Sequence, residues 1–338
     1  MPDTVLIITN DHDEHADAVI EELTRREVPV FRFHPADFPH ACSVSIEIED
    51  GIVHGELRNS DHRVRFDDIC GAWYRRSGNL YETRLSMTSE RLDNYVKTQV
   101  QATVSALCST LDTLWVSHPL TLRRGEVKAL QLVAASRAGL EIPHTLISND
   151  PERAAPFVAA LGDAECAIKP LLAVGVTDDQ GGFRMPLTAM LPRGHSLESV
   201  AHAPTILQPY VDKAFELRCV VIGEQIFAAK MDTQADEKSR VDSRGGDPDH
   251  DIFVLPDEVK SSLRRLLDSF GLNFASLDMI VTPDGEFVFL ELNPNGQWLW
   301  LELQLGLPLV ATMADLLTSD HPSAARSGDD VKGALSAS

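Results

Sequence analysis

The sequence predicts a protein of the α/β (α+β) class, and this prediction rests on three patterns. Near the N-terminus a strand, a helix and a second strand follow one another, which is typical of a βαβ unit with parallel strands. In the second half of the chain, two pairs of strand-forming segments flank short turns and predict antiparallel hairpins. The length of 338 residues allows two or three subdomains with a large buried core.

The composition indicates a globular protein and argues against several partners. Hydrophobic residues make up 43% of the chain, and 51 acidic residues outnumber 30 basic ones to give a net charge of -21. No run of Lys and Arg forms a phosphate-binding stripe, so nucleic acid is not expected as a partner. No signal peptide or membrane-spanning segment is recognisable, and the five cysteines are widely spaced without a Cys-x-x-Cys pair. We therefore expect a cytoplasmic protein with no membrane partner, no disulfide framework and no zinc site.

The N-terminal segment predicts a βαβ unit that lacks a dinucleotide-binding loop. Strands at 5–8 and 30–33 flank a helix at about 12–27, and the residues after the first strand contain no glycine and several acids. Such a loop would not let the backbone approach a pyrophosphate, so we interpret this domain as a scaffold or a substrate-facing domain. It is completed by a hairpin around 49–51, a strand at 72–74 and a helix at about 89–107.

The late hairpin predicts a cation site. Segments 274–282 and 286–292 are separated by Pro283-Asp284-Gly285, and a two-residue Asp-Gly loop would place Asp278 directly opposite Glu291. Asn293 would point to the same face because strand side chains alternate. Two opposed carboxylates repel each other unless a cation lies between them, and oxygen ligands suit magnesium or manganese. The alternative is a solvated face of the sheet.

Two lysines are candidates for contacts with phosphate. Lys169 lies in an apolar strand before Pro170, where an unpaired ammonium would be costly. The alternative is a lysine at a strand edge whose stem is buried and whose head is in water. Lys128 shares a helix, predicted at about 124–138, with Arg123 and Arg124, and a basic stripe of this kind is usually a solvated face.

Two more cations lie within the other predicted hairpin, formed by segments 217–222 and 225–231. Arg218 and Lys230 are surrounded by apolar residues there, so we expect each to have an anionic partner. Glu216 could be that partner for one of them. An apolar strand at 205–211 precedes the hairpin and runs into a connection. The P-loop, protein-kinase and Gly-x-Ser-x-Gly hydrolase motifs are absent from the sequence.

The order of these features resembles the ATP-grasp superfamily of carboxylate-amine ligases over about residues 119–317, with the Glu-x-Asn of 291–293 as the most specific part. The resemblance implies an ATP-grasp fold with an N-terminal βαβ pre-ATP-grasp domain, and ATP and Mg²⁺ (or Mn²⁺) as cofactors. It implies that Lys128 and Lys169 hold the ATP phosphates. The other implied sites are a hinge that touches adenine (Gln208, Pro209, Tyr210 and Val211), a further cofactor-binding residue (Glu216), the metal ligands (Asp278, Glu291 and Asn293) and the residues facing the reacting groups (Arg218, Lys230 and Arg244).

Further motifs are similar to a narrower group, the ATP-grasp ribosomal peptide maturases that make graspetides and include the microviridin ligases. Members of this group activate a side-chain carboxylate of a precursor peptide as an acyl phosphate and join it to a Ser or Thr hydroxyl or to a Lys amine. The resemblance assigns substrate binding to Arg75 and Arg76 and suggests a homodimer. The motifs that carry it are Trp73-Tyr74-Arg75-Arg76, Val116-Ser117-His118-Pro119, Ser148-Asn149-Asp150-Pro151, Glu216-Leu217-Arg218 and Asn295-Gly296-Gln297-Trp298.

The expected organisation is a pre-ATP-grasp domain at 1–118, a central subdomain at 119–204, a C-terminal subdomain at 205–320 and a disordered tail at 321–338. The candidate for binding the leader of the precursor is 183–201. The first hypothesis for function is an ATP-dependent macrocyclase of a ribosomal precursor peptide. The alternatives are an ATP-grasp ligase that joins small molecules or amino acids, and a non-catalytic ATP-binding protein.

Overall fold

The computed structural model describes residues 4–75, 89–172, 175–177, 183–184, 187–235, 239–242, 245–246 and 248–319. The strands are β1 (Thr4–Ile8), β2 (Val30–Phe33), β3 (Ser43–Glu49), β4 (Ile52–Arg58), β5 (Arg63–Arg65), β6 (Ile69–Tyr74), β7 (Leu114–Val116), β8 (Leu146–Ser148), β9 (Cys166–Lys169), β10 (Val176–Thr177), β11 (Phe183–Arg184), β12 (Ala189–Leu191), β13 (Thr205–Pro209), β14 (Phe215–Ile222), β15 (Gln225–Met231), β16 (His250–Ile252), β17 (Phe274–Val281) and β18 (Phe287–Asn293). The helices are α1 (Glu14–Arg25), α2 (Glu90–Thr110), α3 (Pro119–Gly125), α4 (Lys128–Arg137), α5 (Pro151–Ala160), α6 (Asp257–Phe270), α7 (Leu299–Leu305) and α8 (Leu309–Leu317).

The chain divides into two compact units, and the first comprises the described residues up to Pro119 and from Pro308 onwards. Its main sheet has the strand order β2-β1-β6-β7, and all three pairings are parallel, so the predicted βαβ unit is confirmed. α1 begins after Asp13, whose carboxylate accepts hydrogen bonds from the backbone N–H groups of His15 and Ala16. The unit also contains the antiparallel sheet β3-β4-β5. The helix α2 contributes Val100 and Val104 to the apolar core of the unit.

The second unit comprises residues 120–307 and contains two larger antiparallel sheets. One has the order β12-β9-β13-β8, and the other has the order β16-β15-β14-β17-β18. The central strands of the second sheet are almost wholly apolar on one face, where Leu217, Leu277 and Met279 are buried. The predicted hairpin at 217–222 and 225–231 is confirmed as β14–β15.

The helix predicted at about 124–138 is two helices, α3 and α4, with a break at 126–127. Val127 has an extended backbone, and the side-chain amide of Gln131 donates a hydrogen bond to the carbonyl of Gly125 at a distance of 2.6 Å. That bond satisfies a carbonyl that a continuous helix would have satisfied with a backbone N–H. The predicted end is correct, because Gly139 follows α4 with a φ of 85°.

The late hairpin differs from the prediction in the length of its loop but not in the pairing of Asp278 with Glu291. The loop has three residues, because the N–H of Thr282 donates to the carbonyl of Glu286 and Val281 pairs with Phe287. A bulge between Asp278 and Met279 in the pairing with β18 then restores the predicted register, so that Asp278 lies opposite Glu291. The two deviations cancel, and the predicted opposition of the two carboxylates is confirmed.

No helix in the described part of the chain has the length and apolar character needed to span a membrane. None of the five cysteines forms a disulfide, as expected from their spacing. The residues predicted as a disordered tail, 321–338, lie outside the described residues.

We predict that Gly285→Ala lowers the free energy of unfolding by about 1 kcal/mol. Gly285 has a φ of 89°, which an L-residue adopts only with strain, and no atom lies within 4 Å of the added Cβ, so the effect would be conformational only. Urea unfolding measures the change, and Asp284→Ala in the same exposed loop is the control. Equal stability of the two variants would contradict the assigned loop conformation.

Candidate active site

A cavity of about 250 Å³ lies in the second unit, with walls contributed by both of its larger sheets and by α4. It contains most of the residues that the sequence analysis selected. The predicted site residues that line it are Lys128, Lys169, Gln208, Pro209, Tyr210, Val211, Glu216, Arg218, Asp278, Glu291 and Asn293. These residues are spread over more than 160 positions of the chain, and the pairing of β14 with β17 and of β17 with β18 brings the C-terminal ones together.

The acidic patch predicted on the late hairpin is present, and its carboxylates are paired with cations. The Arg218 Nε lies 2.7 Å from Asp278 Oδ1, and the Lys128 Nζ lies 3.0 Å from Glu291 Oε2. The amide of Asn293 lies 3.5 Å from Asp278 Oδ2, which places all three predicted metal ligands on one face. Three half-buried oxygen-bearing side chains fit the ligand preference of Mg²⁺.

Lys169 lies in the cavity with Lys128 near it. Burial, together with the charges of Lys128 and Lys213, lowers the pKa of Lys169 to about 8, although the charges of Glu291 and Asp242 act in the opposite direction. A lysine in this environment gains from the arrival of an anion, because an anion restores the charged form. Lys128 is the first residue of α4, and its ammonium is directed to Glu291 of β18.

The strand β13 ends in the segment predicted as a hinge. The buried side chain of Gln208 donates a hydrogen bond to the Thr145 hydroxyl at 2.8 Å. Pro209 has no N–H, and the N–H of Tyr210 donates to the carbonyl of Glu165 at 2.7 Å. Val211, the last hinge residue, also lines the cavity. Its backbone N–H donates to no backbone carbonyl of the described residues.

The sequence analysis missed two charged residues of the cavity, Lys213 and Asp242. Lys213 is buried and forms an ion pair with Glu216, so the earlier suggestion that Glu216 neutralises Arg218 or Lys230 is wrong. Burial raises the pKa of Glu216, while the charge of Lys213 acts against that rise. The signal was present in the sequence as an opposite charge three residues from Glu216. Asp242 accepts a hydrogen bond from the Thr188 N–H at 3.1 Å, and nothing in the local sequence marked it.

Four predicted residues are not placed in the cavity by the structure. Lys230 pairs across the sheet with Leu217, so its side chain lies on the face opposite to that of Arg218. The Lys230 ammonium lies 5.0 Å from the centroid of the Phe215 ring. Arg75 belongs to the first unit, where it is buried and its Nε lies 3.2 Å from Asp13 Oδ2. Arg76 and Arg244 lie outside the described residues, as does part of the segment 183–201.

Comparison with family models identifies both parts of the chain. Residues 4–122 match the MvdD pre-ATP grasp domain, and residues 124–317, more than half of the chain, match the RimK-like ATP-grasp domain. The chain belongs to the RimK-like ATP-grasp family. The predicted fold class and family resemblance are thereby confirmed, and the chain is an ATP-grasp ligase by family.

Solved structures and a curated relative agree with this family. A RiPP-associated ATP-grasp ligase of Chryseobacterium gregarium, in complex with ADP and a leader and core peptide, is 25% identical, with a TM-score of 0.85 over 95% of this chain and 98% of that chain. The macrocyclase MdnC of Microcystis aeruginosa MRC, bound with precursor peptide MdnA, is also 25% identical, with a TM-score of 0.80 over 93% and 98% of the two chains. A probable alpha-L-glutamate ligase of Klebsiella pneumoniae (strain 342) is 24% identical over 204 residues, which are 58% of this chain and 64% of that protein.

We predict that the stability difference between the wild type and Lys169→Met depends on pH. Between about pH 8 and the ordinary pKa of 10.5, the unfolded chain still holds a proton that the folded Lys169 has released, so the wild type gains stability relative to the variant as pH rises. The variant should be the more stable protein at neutral pH, and this advantage should shrink towards pH 10. Urea unfolding at several pH values measures it, and a constant difference would contradict the proposed environment of Lys169.

Proposed function

We propose that this protein is an ATP-dependent macrocyclase of a ribosomally made precursor peptide. It phosphorylates Asp or Glu side chains of the peptide and joins the resulting acyl groups to Ser or Thr hydroxyls or to Lys amines. The observation that supports this proposal most strongly is the cavity in which Lys128, Lys169 and Arg218 meet the acidic patch of the late hairpin. The likeness to peptide-bound ATP-grasp ligases over 95% and 93% of the chain supports the choice of a peptide as substrate.

Binding of the nucleotide would use the hinge and the lysines. The Val211 N–H would donate to the adenine, and Lys128 and Lys169 would hold the phosphates at the other side of the cavity. The described residues lining the cavity include four cations, Lys128, Lys169, Lys213 and Arg218, and four acids, Glu216, Asp242, Asp278 and Glu291. Because these charges balance, a polyphosphate would bind well only together with divalent cations. We therefore expect nucleotide binding to depend on magnesium.

Asp278, Glu291 and Asn293 would hold the magnesium, which when bound neutralises charge on the transferring phosphoryl group. In the structure Lys128 and Arg218 neutralise these same carboxylates. With Mg²⁺ held by these carboxylates, Lys128 and Arg218 would be available to the anionic groups of ATP and of the peptide. The charges of the site would then be paired with and without the metal, which would avoid the cost of a buried unpaired charge.

The reaction would proceed in two steps. An oxygen of the peptide carboxylate attacks the γ-phosphorus, the bond from phosphorus to the bridging oxygen breaks, and ADP leaves. The hydroxyl or amine of a second side chain then attacks the acyl carbon, phosphate leaves, and the attacking group loses its proton. Each linkage removes one water from the peptide in total. Arg218 would orient the carboxylate and disperse the negative charge that develops in both steps.

A ligase that joins amino acids or other small molecules is the second candidate. The match to a probable alpha-L-glutamate ligase favours it, because that protein shares the ATP-grasp part with this chain. This chain spans only 64% of that relative's length, and the likeness to the peptide-bound ligases extends over nearly the whole chain. The peptide substrate is therefore the better supported of the two.

We predict that the purified protein, with ATP and magnesium, lowers the mass of a precursor peptide encoded beside its gene by one water for each linkage. Glu291→Gln removes a metal-binding charge and should reduce the rate at least about a hundredfold. Glu286→Gln, an exposed residue at the turn of the same hairpin, is the matched control and should be fully active. Intact mass spectrometry measures both. ATP turnover with amino acids but an unchanged peptide mass would favour the small-molecule ligase.

We also predict that Arg218→Glu abolishes the mass change and leaves the fold intact. The substitution places a third acid beside Asp278 and Glu291 and removes the cation that lies 2.7 Å from Asp278. Lys230→Glu is a matched reversal in the partner strand, outside the cavity, and should retain activity. Circular dichroism checks the fold of both variants. Activity in Arg218→Glu, or equal loss in both variants, would contradict the role given to Arg218.

A further inference from the structure

A second concavity in the same unit, of about 170 Å³, lies between α4 and α6 beside the end of α3. Apolar side chains form its floor, with Phe270 buried and Val133 46% exposed. Three arginines surround it: Arg124, Arg137 and Arg265. We call this concavity, with these five residues and Leu130 and Ala134, the arginine pocket.

The arginines differ in how their donors are used. Arg265 is held in place, because its Nε and Nη2 donate to the carbonyl of Ala138 at 3.2 and 2.8 Å. The guanidinium of Arg124 lies 5.8 Å from the centroid of the Phe270 ring, which orients it over the floor. Arg124 and Arg137 form no ion pair with the part of the chain that the structure describes, and both residues are exposed. Their N–H donors are therefore available to a ligand.

The charge of this patch is opposite to that of the whole molecule. The chain carries a net charge of -21, and yet the titratable side chains lining the arginine pocket are all arginines. A solvated helix face explains isolated basic residues, but it does not explain three arginines around an apolar floor. Arginine binds carboxylates through paired N–H donors, and an apolar floor favours an apolar side chain between them. The chemistry that fits is an acidic peptide segment with an apolar residue.

We propose that the arginine pocket binds an acidic segment of the precursor peptide, with carboxylates on Arg124 and Arg137 and an apolar side chain over Phe270. This inference rests on the proposed function for the source of the peptide, because a substrate of that reaction must carry Asp or Glu. The helix α4 joins the two sites: Lys128 at its first residue lines the active-site cavity, and Arg137 is its last residue. At a rise of 1.5 Å per residue the two ends are about 14 Å apart, which an extended peptide of about four residues spans.

The proposed reaction gives this pocket a way to distinguish substrate from product. Each linkage converts a carboxylate into an ester or an amide, so the peptide loses one negative charge for each ring. A peptide that has been fully modified therefore offers fewer partners to Arg124 and Arg137. Binding would weaken as the reaction proceeds and would favour release of the finished product.

The test measures binding of a short fluorescein-labelled peptide composed of Asp, Glu and Leu, by fluorescence anisotropy in the absence of ATP. The protein carries Glu291→Gln, so that no reaction can occur. Adding Arg124→Ala and Arg137→Ala should raise the Kd about tenfold and reduce its dependence on salt. Arg264→Ala is the matched control, because Arg264 is exposed on α6 but does not line the pocket and pairs with Glu224. Its Kd should be unchanged.

Two further peptides test the chemistry of the occupant. A counterpart with Asn and Gln in place of the acids should bind the parent protein at least about tenfold more weakly. A counterpart with Gly in place of Leu should also bind more weakly, and Val133→Asp should reproduce that loss. An unchanged Kd in the double arginine variant would overturn the proposal, and so would equal binding of the peptide that lacks leucine.

Failure of the macrocyclase assignment and failure of the arginine pocket give different results in these experiments. If the wild type leaves every precursor peptide unmodified and the labelled peptide still requires Arg124 and Arg137, the macrocyclase assignment fails and the pocket stands. If the precursor is modified and the arginine variants bind the labelled peptide as well as their parent does, the pocket fails and the macrocyclase assignment stands.

Discussion

The opposition of Asp278 and Glu291 across β17 and β18 is the constraint on which the rest of the site depends. Two carboxylates held face to face on neighbouring strands repel each other, so the fold must bring cations to them. It does so from two distant parts of the chain, with Arg218 from the neighbouring strand β14 and Lys128 from the start of α4. The position of α4 against β18 is supported by Gln131, whose amide bonds the backbone of Leu292. The acidic pair is thus connected to the start of α4 through Lys128 and to its second turn through Gln131.

Much of this arrangement could be predicted from the sequence because it depends on short-range rules. Strand alternation was sufficient to place Asn293 on the same face as Glu291, and the predicted opposition of Asp278 and Glu291 is correct because the longer loop and the bulge cancel. The βαβ unit and the β14–β15 hairpin followed from the same signals. The family resemblance added the candidate hinge at 208–211, which no local pattern in the sequence marks. All of these hinge residues line the cavity, as do both candidate phosphate lysines.

The parts that could not be predicted depend on interactions between distant residues or on small deviations in the strands. At the break between α3 and α4, a side-chain hydrogen bond of Gln131 satisfies the carbonyl of Gly125, and helical periodicity does not reveal such a bond. Lys213 belongs to the cavity because its ammonium is buried against Glu216, whereas Lys230 is directed to the other face of the sheet by simple alternation with Arg218. Lys213 precedes β14, so strand alternation does not apply to it, and its place in the cavity depends on the ion pair with Glu216.

The bulge in the late hairpin has a consequence for the wall of the cavity. The three-residue loop shifts the pairing near the turn by one position relative to a two-residue loop, and the extra residue of β18, Leu290, shifts it back before the acidic pair is reached. Alternation along a regular strand would place Phe289 and Glu291 on one face, whereas here Phe289 is buried opposite Met279 and Glu291 lies opposite Asp278 at the cavity. Leu290 and Glu291 both line the cavity, so two consecutive residues of β18 face it where a regular strand would offer one. The bulge therefore places an apolar side chain directly beside a carboxylate in the cavity wall.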